Sequence, residues 1–121
     1  MYTYHQSTGA LLHNGVPLLT GYAGHGIGLN NPAMQDKHDI GPLPLGRYRM
    51  TMLFDSPRTG LATIVLDPDP ANLMFGRAGF RIHGDNSFNN RTASDGCIIA
   101  GHVAERTAIF KSGDHDLEVL I

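Results

Sequence analysis

Apolar residues recur along this chain at every second position more often than at every third or fourth, which predicts strands rather than helices. Tyr2 and Tyr4 share a face of Met1–Gln6, and Ser7-Thr8-Gly9 turns the chain back through Gly9–His13. Asn14-Gly15, two residues that tolerate positive φ, predicts a second hairpin turn into Val16–Tyr22. Ala23–Pro44 is rich in Gly, Asn and Pro and lacks periodicity, so it predicts a long ordered loop of the kind that carries function. In Gly46–Phe54 alternation returns, with Tyr48, Met50 and Met52 opposing Arg47, Arg49 and Thr51. Beyond an exposed turn, Leu61–Leu66 is nearly all apolar and reads as a central strand covered on both faces. Asp67-Pro68-Asp69-Pro70 stops it, because proline brings no N–H to a ladder.

Phe80 and Ile82 alternate with Arg81 and His83, so His83 leaves its strand on the face opposite the apolar pair. Cys97 stands just before another apolar run, Ile98-Ile99-Ala100. Gly101–Ser112 is the one helix the pattern supports. Val103, Ala104, Thr107, Ala108 and Phe110 face one side, Glu105, Arg106 and Lys111 lie outside, and Gly113 ends it. His115–Ile121 closes as a strand with Leu117, Val119 and Ile121 on one face. The expectation is a mostly β fold, a compact twisted sheet or barrel with one short helix after the Cys97 strand. At 121 residues it reads as a single domain, 1–121.

Composition narrows the partners. The net charge of −2 and the absence of a basic block argue against nucleic acid. No apolar run reaches membrane-spanning length, so membrane insertion is not expected, and Met1–Gln6 lacks the regions of a signal peptide. The expected place of synthesis is therefore the cytoplasm. A single cysteine forms no internal disulfide and leaves its thiol free for chemistry. Asp67, Asp69 and Asn72 lack the Gly and distal Glu of a calcium loop. Seven histidines raise a metal reading, yet none sit at zinc spacing. A three-ligand set of His25, His83 and Cys97 ranks below a cysteine-enzyme reading, so neither a metal nor another cofactor is expected.

A thiol is a poor nucleophile until it loses its proton, and a neighbouring histidine lowers the thiol pKa by holding the thiolate as an ion pair and later returns a proton to a leaving amine. Cys97 and His83, at adjacent strand ends, are the candidate nucleophile and base. Gly96 permits a tight turn, and the amides of Gly96 and Cys97 are candidate oxyanion donors. Ser94 is the candidate to accept from the far nitrogen of His83 and fix its tautomer. Against this stands the commoner fate of a lone cysteine as a buried small hydrophobe.

His83-Gly84, a polar loop and Ser94-Asp95-Gly96-Cys97 resemble the active-site signature of the YkuD-type L,D-transpeptidases, and Ile40–Tyr48 is similar to that family's Pro- and Gly-containing upstream stretch. With Gly21–Gly26 and Asn30-Asn31-Pro32 added, the chain most resembles the small L,D-transpeptidase effectors of type VI secretion systems. Asp95 stands where most such enzymes have His, and Ile99 where they have Arg or Asn. The resemblance implies the L,D-transpeptidase catalytic fold and a cysteine enzyme acting on peptidoglycan tetrapeptide stems, by L,D-carboxypeptidase activity and D-amino acid exchange. It also implies secretion, action in a target periplasm as an antibacterial toxin, free D-amino acids as partners and a neutralising periplasmic immunity protein. Tyr22, His25, Gly84 and Asp95 are candidates for substrate binding. The competing expectation is a non-catalytic wall-binding or structural module with the same fold.

Overall fold

The computed structural model describes residues 1–121. Eight strands make one sheet that curls into a half-barrel: β1 (Tyr2–His5), β2 (Ala10–His13), β3 (Val16–Thr20), β4 (Gly46–Ser56), β5 (Gly60–Pro68), β6 (Arg81–His83), β7 (Ile98–Ile99) and β8 (Asp116–Leu120). Their order is β3-β2-β1-β8-β4-β5-β6-β7. The single α-helix, α1, spans Val103–Lys111 and follows the short strand β7 after Cys97, as the pattern predicts. No helix is long and apolar enough to cross a membrane.

Most of the strand pattern survives folding. Tyr2, Tyr4, Leu11, Tyr48, Met50, Ile64, Leu66, Ile82, Ile98, Leu117 and Val119 form the core with Leu43, Phe80 and Ile109. Four departures stand out. Register shifts between Met50 and Met52, so Met52 turns out to solvent, and Ile121 lies beyond β8 and is exposed. β5 runs through Asp67 to Pro68, paired with Arg49 and Tyr48, because a terminal proline removes no interior ladder bond. Leu61 at its other end is exposed, so only part of β5 is covered on both faces.

The helix departs most. Its buried residues are Arg106 and Ile109, while Val103 is exposed. Arg106 is tolerated inside because its guanidinium donates to four backbone carbonyls: Ala62 at 2.9 Å, Leu61 at 3.0 Å, Ala100 at 3.1 Å and Gly101 at 2.7 Å. One side chain thereby fastens α1 to β5 and to the end of β7. Glu105 accepts from the His102 N–H at 2.8 Å, capping the first turn.

The far edge of the sheet positions the chemistry. β6 and β7 are parallel, with Ile82 beside Ile98 and His83 beside Ile99. Tyr22 bridges to Ile99 from the other side, so the long segment after β3 returns to the same edge.

Candidate active site

The β6–β7 register aligns Arg81 with Cys97 and sets His83 two residues further along the same face. No hydrogen bond joins thiol and imidazole; the Cys97 Sγ contact is Gly79 O at 4.0 Å. Cys97 is half-buried and lines a cavity of about 230 Å³ with His38, Arg58, Arg77, Gly79 and Asp95. His83 is buried and lines a neighbouring one of about 390 Å³ with Arg58, Gly84, Asp85 and Ala93. Arg58 belongs to both walls.

His83 has its tautomer set by its neighbour. Nδ1 lies 2.8 Å from Gly84 O, a group that only accepts, so Nδ1 carries the hydrogen and Nε2 keeps its lone pair. This corrects the expected role of Ser94. Its Oγ is fully buried, accepts from the N–H groups of Gly24 at 2.8 Å and Gly96 at 3.0 Å, and donates to Cys97 O at 2.6 Å. A hydroxyl so committed has nothing left for an imidazole, and it holds the Cys97 turn instead. The expected oxyanion pair is corrected with it: the Gly96 N–H is taken by Ser94, whereas the Cys97 N–H makes no hydrogen bond within the chain.

Arg77 supplies the other brace. Its buried guanidinium donates to Gln35 O, Pro42 O, Gly41 O and Asp95 O at 2.7, 2.8, 3.0 and 3.1 Å and packs on the Phe80 ring. It ties the turn before Cys97 to the Ala23–Pro44 segment, where Leu43 N also donates to Gly96 O at 2.9 Å. Gly96 has φ of +140°, and a Cβ there would meet Arg77 Nη2 at 2.5 Å. Glycine is thus required both by the backbone and by the clamp.

Electrostatics give a neutral resting pair. Burial lowers the His83 pKa; the Gly84 bond opposes this and the charges of Arg106, Arg81 and Arg58 reinforce it. Burial raises the Cys97 thiol, partly offset by the Arg81 amide and by the Arg81 and Arg58 charges. Both shifts favour the neutral thiol and neutral imidazole over a preformed thiolate–imidazolium pair. Alkylation of Cys97 is expected to be slow at neutral pH and to titrate above the ordinary thiol value of 9.0. If His83 acts as a base it works in the neutral form, so its lowered pKa predicts an acidic limb of kcat/KM below 6.5. An alkylation midpoint near 7 or lower would contradict the neutral pair.

A family model described as the Tlde1 domain matches residues 18–121. The chain belongs to the Tlde1 domain family. By name this is a family of type VI secretion effectors of L,D-transpeptidase type, which meets the resemblance carried by Gly21–Gly26 and Ser94–Cys97 at the level of the family. A search among curated proteins finds no match.

In this Tlde1 chain Gly84 and Asp95 line the two cavities, while Tyr22 and His25 sit around them. Tyr22 donates from its hydroxyl to Asp85 Oδ1 at 2.6 Å and accepts from Ala93 N at 3.2 Å, closing the base of the 85–93 loop. Burial, with Asp85 adding to it, pushes its phenol up to about 12. His25 donates from Nδ1 to Ser94 O at 2.8 Å and leans on Asp95 at 3.7 Å. Both brace loops, while Asp95 itself projects into solvent at the Cys97 cavity. His25, His83 and Cys97 form no metal-ligand group. Ile99 is buried in β7 beside His83, on the face opposite Ile98. Reading by periodicity missed Arg58, Arg77 and Arg106, whose roles depend on distant carbonyls or shared cavity walls.

Proposed function

We propose that this Tlde1 chain is a cysteine acyl-transferase of peptidoglycan that trims tetrapeptide stems and exchanges their terminal D-alanine. The observation that carries the reading is a histidine held with Nε2 free on the same strand face as a half-buried cysteine whose own N–H is unused. Cys97 attacks the carbonyl carbon at the L-centre of the diamino acid, and His83 Nε2 takes the thiol proton. The Cys97 N–H donates to the oxyanion. The bond to D-alanine then breaks, His83 returns the proton to the leaving amine, and a thioester remains. Water, or the amine of a free D-amino acid, attacks the thioester and restores the thiol.

The acceptor follows from the size of the site. Cross-linking needs a second stem docked beside the thioester, whereas the cavity at Cys97 is about 230 Å³, room for little more than one large residue. Water and free D-amino acids fit such a space. Given disaccharide-tetrapeptide with and without excess D-methionine, the chain is expected to yield mainly tripeptide and D-methionine-exchanged stems by mass. Cross-linked dimers as the main product would overturn the acceptor assignment. No product, with stem binding retained, would favour a wall-binding module. Action in a target periplasm, opposed there by an immunity protein, follows from the effector reading.

A further inference from the structure

The site holds three guanidinium groups, and their commitments differ. Arg77 spends its donors on four carbonyls. Arg81, aligned with Cys97, donates to Ser56 Oγ and Thr59 Oγ1 at 3.3 Å each and lies over the Phe54 ring. Arg58 is exposed, its side chain makes no hydrogen bond, and it enters none of the chain's ion pairs. Asp39 and Asp95 share its cavity without reaching ion-pair distance, and Asp85 in the neighbouring cavity is engaged by Tyr22.

The backbone beneath Arg58 is nevertheless well fixed. It sits in the tight turn from β4 to β5, where Ser56 Oγ accepts from the N–H groups of Arg58 and Thr59 at 3.1 Å each. Thr59 and Thr63 hydroxyls join at 2.9 Å, and Asp55 Oδ1 accepts from Ala62 N at 3.0 Å. A braced turn thus carries one uncommitted, planar, five-donor cation to the wall between nucleophile and base. Such a group recognises a carboxylate by a forked pair of hydrogen bonds.

We infer that Arg58 binds the terminal carboxylate of the residue that leaves, and so selects stems that end one residue beyond the scissile bond. The inference rests on the acyl-transfer reading above. Its reach is set by chain geometry: each further residue carries the carboxylate about 3.5 Å further from Cys97, and so away from the braced turn that carries Arg58. The tetrapeptide is preferred over both its C-terminal amide and the pentapeptide. Arg58 is accordingly a specificity residue that touches the departing group. The positive charge that it shares with Arg81 also favours the thiolate form of Cys97.

The test compares free-acid tetrapeptide, its C-terminal amide and pentapeptide as substrates for the intact chain and for Arg58→Gln and Arg58→Lys. The intact chain should favour the free acid by about tenfold in kcat/KM, the scale of one charge-assisted pair. In Arg58→Gln the acid-to-amide ratio should fall to about one, mainly through KM, and Arg58→Lys should restore part of it. Circular dichroism establishes that each variant is folded. A ratio untouched by Arg58→Gln, or equal loss on acid and amide, overturns the inference. Equilibrium binding of acid and amide stems to Cys97→Ala, with and without Arg58→Gln, gives the same ratio without turnover. An Arg58-dependent preference there, without turnover by the intact chain, would sink the acyl-transfer reading and leave the carboxylate site standing.

Discussion

Replacing Cys97 by Ala, or His83 by Gln, is expected to lower turnover of tetrapeptide stems by at least about a thousandfold, the loss typical of a nucleophile or its base. The two losses should not add, because thiol and imidazole act on one proton. Neither change removes a bond that holds the fold: the Cys97 sulfur touches Gly79 O at 4.0 Å, and the His83 ring bonds only to its neighbour Gly84. Circular dichroism of both variants should match that of the intact chain. Glutamine keeps a donor for Gly84 O but supplies no base, so His83→Gln separates proton transfer from ring placement. In cells, export of the intact chain to the periplasm of a Gram-negative host should be toxic through Cys97, and cytosolic expression tolerated. Wild-type rates in either variant would remove that residue from the mechanism.

The second large effect falls on Arg77, whose guanidinium is committed to the chain's own carbonyls. Arg77→Met is expected to destabilise the chain by about 3 kcal/mol, because it strips donors from four carbonyls while the methylenes are largely conserved. Losing the bond to Asp95 O also unfastens the turn that presents Cys97, so activity should drop more than stability at room temperature explains. Arg77→Lys should rescue little, since an ammonium cannot fork to carbonyls of Gln35, Gly41, Pro42 and Asp95 together. Urea unfolding and kcat measured on the same preparations check both statements. Full activity in Arg77→Lys would show that charge alone, rather than the four-way clamp, orders the turn.

How much could be read in advance depended on how local each signal is. Alternation in Tyr2–Tyr4, Tyr48–Met50, Ile82 and Leu117–Val119 located strands because side-chain period is fixed by the strand itself. Met52 broke the pattern through a register shift that depends on its partner strand. Arg106 was assigned to the outer face of α1 by its charge, yet it is buried, since the carbonyls that satisfy it come from β5 and the end of β7. At the site, residue type and order singled out His83 and Cys97, and the β6–β7 register puts them on one face. The partner of His83 was not legible, because a triad habit points to Ser94 while the backbone of Gly84 is nearer. Ser94 and Arg77 act through loop carbonyls and amides far apart in sequence, which leave no period to detect.

The central claim is that Cys97 carries the acyl group. Intact-protein mass spectrometry after rapid mixing of the chain with disaccharide-tetrapeptide tests it most directly. The account predicts a transient adduct equal to the stem less its terminal D-alanine, on the peptide containing Cys97 and absent in Cys97→Ala, with free D-alanine released in step. Release of D-alanine by a Cys97→Ala chain, or turnover with the adduct on any other residue, would contradict it.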